Sequence, residues 1–252
     1  MLWCSVGAFH SRLLMTLVVT NIRKFIGCHM VLHVSTPRMK MFNRADITFN
    51  PTSFHVTRGG PEVLHLHISN LELILRNASA QDKIIILPGN AIFFKNCLSE
   101  VEKFDMTFLD DFYDNDDHAF HNDRYFAPFY NYLSRNPDPV LAIHPLARIQ
   151  HEGTFYKAHH LQKILSLVKK SSIFTHCPVR PCTLEETMIP TLMWQYFPNS
   201  IRNYTLPLIH RHFEWNISAI IDNHPSVCGR KFVHDPNEAH TIRELKRINK
   251  QF

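Results

Sequence analysis

The chain has no Cys-x-x-Cys pair, no apolar run long enough to cross a bilayer and no low-complexity linker. Its six cysteines (Cys4, Cys28, Cys97, Cys177, Cys182 and Cys228) are too few and too irregularly spaced to read as the framework of a disulfide-scaffold protein. Cys177 and Cys182 are the nearest two, and a bridge between them requires an oxidising compartment. The apolar stretch from Leu13 to Thr20 falls well short of the roughly 20 residues that span a membrane. It also lacks a basic segment ahead of it and a small-residue cleavage site, so no signal peptide is expected. With nothing to divide 252 residues that are 45% hydrophobic, one domain over 1–252 with a sizeable core is the default.

Charge excludes little more. The formal net charge is +5, and the one concentrated basic run, Arg243 to Lys250, reads first as a solvated helix face. Without interleaved aromatics it makes no case for nucleic acid, while an anionic small ligand such as a sugar nucleotide suits the charge. Three Asn-x-Ser/Thr sequons occur, at Asn77, Asn203 and Asn216, but a chain of this length collects sequons by chance, so they add little to a secretory reading.

The periodicity alternates between helix and apolar run. Leu13, Leu14, Leu17, Val18, Ile22 and Phe25 recur at helical spacing, with Arg23 and Lys24 in the final turn and Gly27 as a stop. Met30 to Val34 reads as an inner parallel strand, and Ser53 to Thr57 as another short one. Gly59-Gly60-Pro61-Glu62 opens a helix through Arg76 with Leu64, Ile68, Leu71 and Leu75 as its buried stripe. Lys83 to Leu87 is a fully buried strand, Val140 to His144 a short one, and His159 to Lys170 a helix. This order predicts an α/β fold with a largely parallel central sheet flanked by helices.

Ligands of such sheets sit beyond the carboxyl ends of the strands, which makes Pro88-Gly89-Asn90 a binding position. A metal-dependent nucleotide-sugar enzyme needs an Asp-x-Asp there to bridge a divalent cation to a diphosphate, and this chain has Gly89-Asn90-Ala91. The stretch from Asp110 to His121 holds five aspartates and two histidines. Their spacing matches no closed ligand set, so an exposed acidic loop is the plainer reading, with a cation site at Asp116, Asp117, His118 and His121 as the alternative. The pairs His65/His67, His159/His160 and His210/His212 are taken as chance in a chain with 18 histidines.

Two segments carry most of the functional content. In Glu152-Gly153-Thr154-Phe155-Tyr156-Lys157, Gly153 lets the backbone come close to a ligand just before a helix, although an ordinary strand-to-helix turn accounts for it equally well. In Thr183-Leu184-Glu185-Glu186-Thr187-Met188-Ile189-Pro190-Thr191-Leu192, two carboxylates open an apolar helix, where a general base is readily mounted. Thr183 and Glu186 also form a capping-box pattern, which explains Glu186 without any chemistry.

In their order these segments resemble the core-2/I-branching type of N-acetylglucosaminyltransferase and its glycosyltransferase relatives. Glu152-Gly153-Thr154-Phe155-Tyr156 looks like that family's Gly-Ser-x-x-Phe segment, and Glu185-Glu186 through Leu192 like its Asp-Glu-x-x-x-Thr-Leu segment. Gly229-Arg230-Lys231-Phe232 looks like its basic C-terminal segment. The resemblance implies a GT-A-type nucleotide-sugar fold without a metal, Glu186 beside Glu185 as the base, and Arg230 with Lys231 on the leaving diphosphate. Glu152, Gly153, Thr154 and Asn90 would border the substrates. It further implies a UDP-sugar as donor substrate, no cofactor, a glycan acceptor, and the secretory lumen or Golgi as location, with membrane association only through an anchor not visible here. The chain departs from the pattern in having Glu185 for the usual Asp and in starting almost directly at a helix, as though the first nucleotide-binding strand were incomplete. A noncatalytic glycan- or nucleotide-binding relative therefore stays open, as does, more weakly, a metal-dependent hydrolase.

Overall fold

The computed structural model describes residues 1–8, 11–34, 44–52, 61–106, 127–141, 146–147, 149, 153–179, 182, 184–200, 208–210, 222–223, 227–232 and 238–251. Its first element corrects the expectation of an incomplete first strand. Leu2–Ala8 form a seven-residue strand, β1, which pairs in parallel with β2 (His29–Val34) on one side and β4 (Lys83–Leu87) on the other. β3 (Ile47–Asn50) extends the sheet beyond β2 in parallel, and β6 (Phe155–Lys157) closes the opposite edge antiparallel to β4. The order is β3-β2-β1-β4-β6. A smaller sheet, ordered β5-β8-β7, is built from β5 (Ala91–Phe93), β8 (Gly229–Lys231) and β7 (Ile209–His210).

Alternation of side chains along the strands divides the core into two layers. Trp3, Val31, Ile84 and Ile86 face α2 (Glu62–Leu75), α5 (Ala158–Val168) and α7 (Leu184–Tyr196). Cys4, Val6, Met30, Leu32, Ile85 and Leu87 face α1 (Arg12–Phe25) and α8 (Ala239–Gln251). The single α/β domain with helices on both faces of a mostly parallel sheet is thus as the sequence predicts. On α1, Leu14, Met15, Val18, Val19, Ile22 and Phe25 are all buried, each contributing roughly 1.5–3 kcal/mol of transfer free energy. Gly27 ends that helix at φ 66°, a backbone region that costs glycine nothing. The remaining helices are α3 (Leu98–Lys103), α4 (Ala127–Arg135) and α6 (Ser172–Thr175).

Two further expectations change. The strand placed at Val140 to His144 begins instead as a turn, in which the Val140 and Leu141 amides donate to Asp138 Oδ1 at 2.9 and 3.2 Å; residues 142–144 lie outside the described residues, as do Ser53 to Thr57. The cysteines are also more than scattered thiols, since Cys4–Cys28, Cys97–Cys228 and Cys177–Cys182 are all disulfides. The first tethers β1 to the start of β2, and the second ties the head of α3 to the start of β8 across 131 residues.

Ser5, His67, Asn70 and Asn50, between the sheet and α2, are hydrogen-bonded to one another, as burial demands. Ser5 Oγ lies 2.9 Å from His67 Nδ1, Asn70 Nδ2 donates to Ser5 Oγ and to the Val31 carbonyl, and Asn50 Nδ2 donates to Asn70 Oδ1 and Ser69 Oγ. His67 is therefore a core histidine holding α2 to β1.

His160, in the first turn of α5, is buried with its ring 4.1 Å from that of Phe197. Burial, together with the positive field of His159, Lys157 and Lys163 and against the opposing pull of Asp105, lowers its pKa to about 4. Between about 6.5, the ordinary imidazole value, and about 4, the unfolded chain binds a proton that the folded chain refuses. Stability therefore falls as pH falls through that window. Urea midpoints measured from pH 7 to pH 4 should decline less steeply for His160→Phe than for the wild type. Equal slopes would show that His160 does not stay neutral in the fold.

Candidate functional site

Strand connections reverse direction between β1 and β4: β1 leads to β2 on one side, while its other neighbour is β4. Crevices outside the carboxyl ends of strands at such a reversal are where open α/β sheets hold ligands. Val6 pairs with Leu87 in register, so the carboxyl ends on either side of the reversal are Gly7-Ala8 and Pro88-Gly89-Asn90. Ser11 follows on the β1 side, where its Oγ accepts from the Leu14 amide at 3.3 Å and caps α1. Of these residues the sequence reading named only the β4 side. Recognising Leu2–Ala8 as a strand would have supplied the other half.

Backbone hydrogen bonds bring three of the singled-out segments to this edge. The Gly153 amide donates to the Ile86 carbonyl at 2.7 Å, and the Ile86 amide donates to the Thr154 carbonyl at 2.9 Å. The Gly153 carbonyl then accepts from Leu208, whose own carbonyl accepts from Cys228 and Gly229. Asn90 joins from the other direction, accepting at its carbonyl from the Phe232 amide at 2.9 Å and donating from Nδ2 to the Phe232 carbonyl at 3.2 Å. Asn90, Gly153-Thr154 and Arg230-Lys231 are thus neighbours through the seam between the two sheets. Glu152 lies outside the described residues.

Gly153 has a different cause from the one expected. Its φ is 84°, and a Cβ at this position would lie 2.7 Å from the Ile209 amide nitrogen and 2.9 Å from Ile209 Cβ. The close approach is to the chain's own β7, so glycine is required here by the joining of the sheets. Thr154 is buried, and burial pushes the phenol of Tyr156, two residues on, well above its ordinary pKa.

Arg230 and Lys231 part company. Arg230 is fully buried, and its Nη2 donates to Glu244 Oε1 of α8 at 2.5 Å. The next residue on a strand faces the opposite way, and Lys231 is half-buried. Within this pair Lys231 is the cation with a surface to offer, while Arg230 has a structural task in joining β8 to α8.

Glu185 and Glu186 occupy the first turn of α7, where carboxylates are favoured by the helix dipole. Thr183, the other half of the capping box, lies outside the described residues. The position of Glu186 has a more specific origin in Pro190, which sits inside the helix. Lacking an N–H, Pro190 leaves the carbonyl four residues back without its helical donor. That carbonyl belongs to Glu186, and the Ile149 amide donates to it at 3.0 Å. One turn on, Thr191 Oγ1 accepts from the Ala147 amide at 2.9 Å and donates to the Ala147 carbonyl at 3.2 Å. The proline thus creates a docking point for Ile149, which lies three residues ahead of Glu152 in the sequence.

Among the described residues no group of three or more His, Cys, Asp or Glu side chains could hold a metal ion, and the Asp110–His121 stretch lies outside them. Nor does any helix among them have the length and apolarity to cross a membrane. No family model matches the chain, and no curated protein matches it. Among solved structures, the crystal structure of mouse xyloside xylosyltransferase 1 in its apo form overlays 91% of this chain on 96% of its own, at a TM-score of 0.35 and 11% identity. A likeness of that degree assigns neither a family nor a residue's role.

Proposed function

We propose that the chain is a glycosyltransferase that moves a sugar, an N-acetylhexosamine by the resemblance of its segments, from a UDP-sugar to a glycan hydroxyl. The observation that carries this reading is the meeting of Asn90, Gly153-Thr154 and Lys231 at the carboxyl edge of β4, beside the reversal between β1 and β4. In this reading the transfer is inverting. Glu186 takes the proton from the acceptor hydroxyl, the oxygen attacks the anomeric carbon, and the bond to the diphosphate breaks with its electron pair leaving on the diphosphate. Lys231 meets the charge that develops there. A divalent cation does not suit the β4 edge, because Gly89-Asn90-Ala91 offers no carboxylate and Asn90 Nδ2 is directed at the Phe232 carbonyl. The reaction is therefore assigned without one.

A noncatalytic nucleotide- or glycan-binding relative is the second reading, and the burial of Arg230 against Glu244 favours it, because one of the two expected cations is engaged by the protein's own carboxylate. Titration calorimetry with UDP and UDP-N-acetylglucosamine, with added divalent metal and with chelator, tests the shared premise. Binding that ignores the chelator and weakens in Lys231→Ala is expected. Absence of binding to either nucleotide under both conditions would overturn the transferase.

A further inference from the structure

We propose that Asn77 carries an N-linked glycan, added in an oxidising secretory compartment. The inference is independent of the transferase reading and starts from the disulfides. All six cysteines are paired, two of the bridges joining buried cysteines that are distant in sequence. Such bridges persist where thiols are not kept reduced, which for most cells means the secretory route or outside. A sequon met there is a substrate rather than a coincidence.

Of the three sequons, Asn77-Ala78-Ser79 is the one among the described residues, and its setting suits modification. α2 ends at Leu75 with Arg76 as its cap, and the amides of Asn77 and Ala78 both turn back to the Ile74 carbonyl at 2.9 Å. Asn77 and Ser79 are exposed. Asn77 Nδ2 makes a long 3.3 Å contact to the Leu73 carbonyl, at the weak end of hydrogen-bond geometry, so it is released at small cost. α2 runs from the carboxyl end of β3 to the amino end of β4, which places Asn77 at the edge of the sheet opposite the candidate site. A glycan of any size there leaves the crevice clear.

Ser79 has an explanation of its own, since its Oγ donates to Asp82 Oδ1 at 2.8 Å and its amide to Asp82 Oδ2 at 3.0 Å. Asn77 takes no part in that clamp, which lets the two roles be separated. The co-reactant is an oligosaccharide on a polyprenyl diphosphate. A bond forms between Asn77 Nδ2 and the anomeric carbon, the bond from that carbon to the diphosphate oxygen breaks, the amide gives up one proton, and the polyprenyl diphosphate departs.

The full chain, made from its own coding sequence in a eukaryotic cell, is purified, digested and treated with peptide N-glycosidase in heavy-oxygen water. The Asn77 peptide should return with aspartate bearing the heavy oxygen. Asn77→Gln should lose the mobility shift of one glycan, and Ser79→Thr, which keeps the hydroxyl, should retain it. Reading at peptide level keeps Asn203 and Asn216 apart. An Asn77 peptide recovered wholly as asparagine overturns the glycan. Alkylation of the unreduced, denatured protein at all six cysteines overturns the compartment and the proposal with it.

Discussion

Glu186→Gln should lower sugar transfer by about 10²–10⁴-fold, the usual contribution of a positioned general base, while leaving UDP affinity and the thermal midpoint near their wild-type values. The substitution is suited to the question because the group that seats this residue is its backbone carbonyl, which accepts from Ile149 and survives the change. Glutamine keeps the size of the side chain and a hydrogen-bonding oxygen while removing its charge and basicity. A carboxylate that merely favours the first turn of α7 contributes about 0.3–1 kcal/mol through the helix dipole. If that were the whole role of Glu186, the midpoint would drop slightly and turnover would be untouched. Glu185→Gln is the internal control, being in the same turn with the same dipole term. Equal turnover losses in both variants would assign the effect to the helix end and not to one base. Unchanged turnover in Glu186→Gln would remove this residue as the base.

The helices and the inner strands were readable because their signals are local. The stripe of Leu64, Ile68 and Leu71 declares α2, and Lys83 to Leu87 is apolar enough to be a strand buried on both faces. β1 was not readable for the complementary reason. Ser5, Gly7 and Ala8 give Leu2–Ala8 little β-propensity, and what makes it the central strand is the row of main-chain partners that β2 and β4 supply on either side. Disulfide pairing across 24 and 131 residues has no local signature at all. Pro190 shows a different limit. Its missing N–H was visible, but that Ile149 would use the released carbonyl depends on two segments meeting, which periodicity does not encode. The same holds for Arg230, whose type suggested an anion and whose fold supplied Glu244.

Glu244→Ala should destabilise the protein by about 3–5 kcal/mol, the usual cost of leaving one member of a buried ion pair without its partner. Arg230 is fully buried on β8 and the Glu244 side chain is only 10% exposed on α8, so water cannot take over the lost contact cheaply. The loss should spread beyond the pair, because α8 is held to α1 by the same docking. Leu245 and Ile248 are buried there, Asn21 Nδ2 donates to Asn249 Oδ1 at 2.9 Å and to the Phe93 carbonyl of β5 at 3.0 Å, and Lys24 Nζ donates to the Asn249 carbonyl at 2.7 Å. Replacing both charges with apolar groups, Arg230→Met with Glu244→Leu, should recover most of the stability, since a packed apolar pair is often no worse than a buried ionic one. UDP titration of the double variant, once its denaturant midpoint shows it stable, separates this from a ligand-holding arginine. A guanidinium that closed on a diphosphate would make the double variant stable but deaf to UDP, whereas a structural one leaves it stable and still binding. The second outcome is expected, with Lys231 carrying the phosphate contact. An unchanged midpoint in Glu244→Ala would show that α8 is held without the pair.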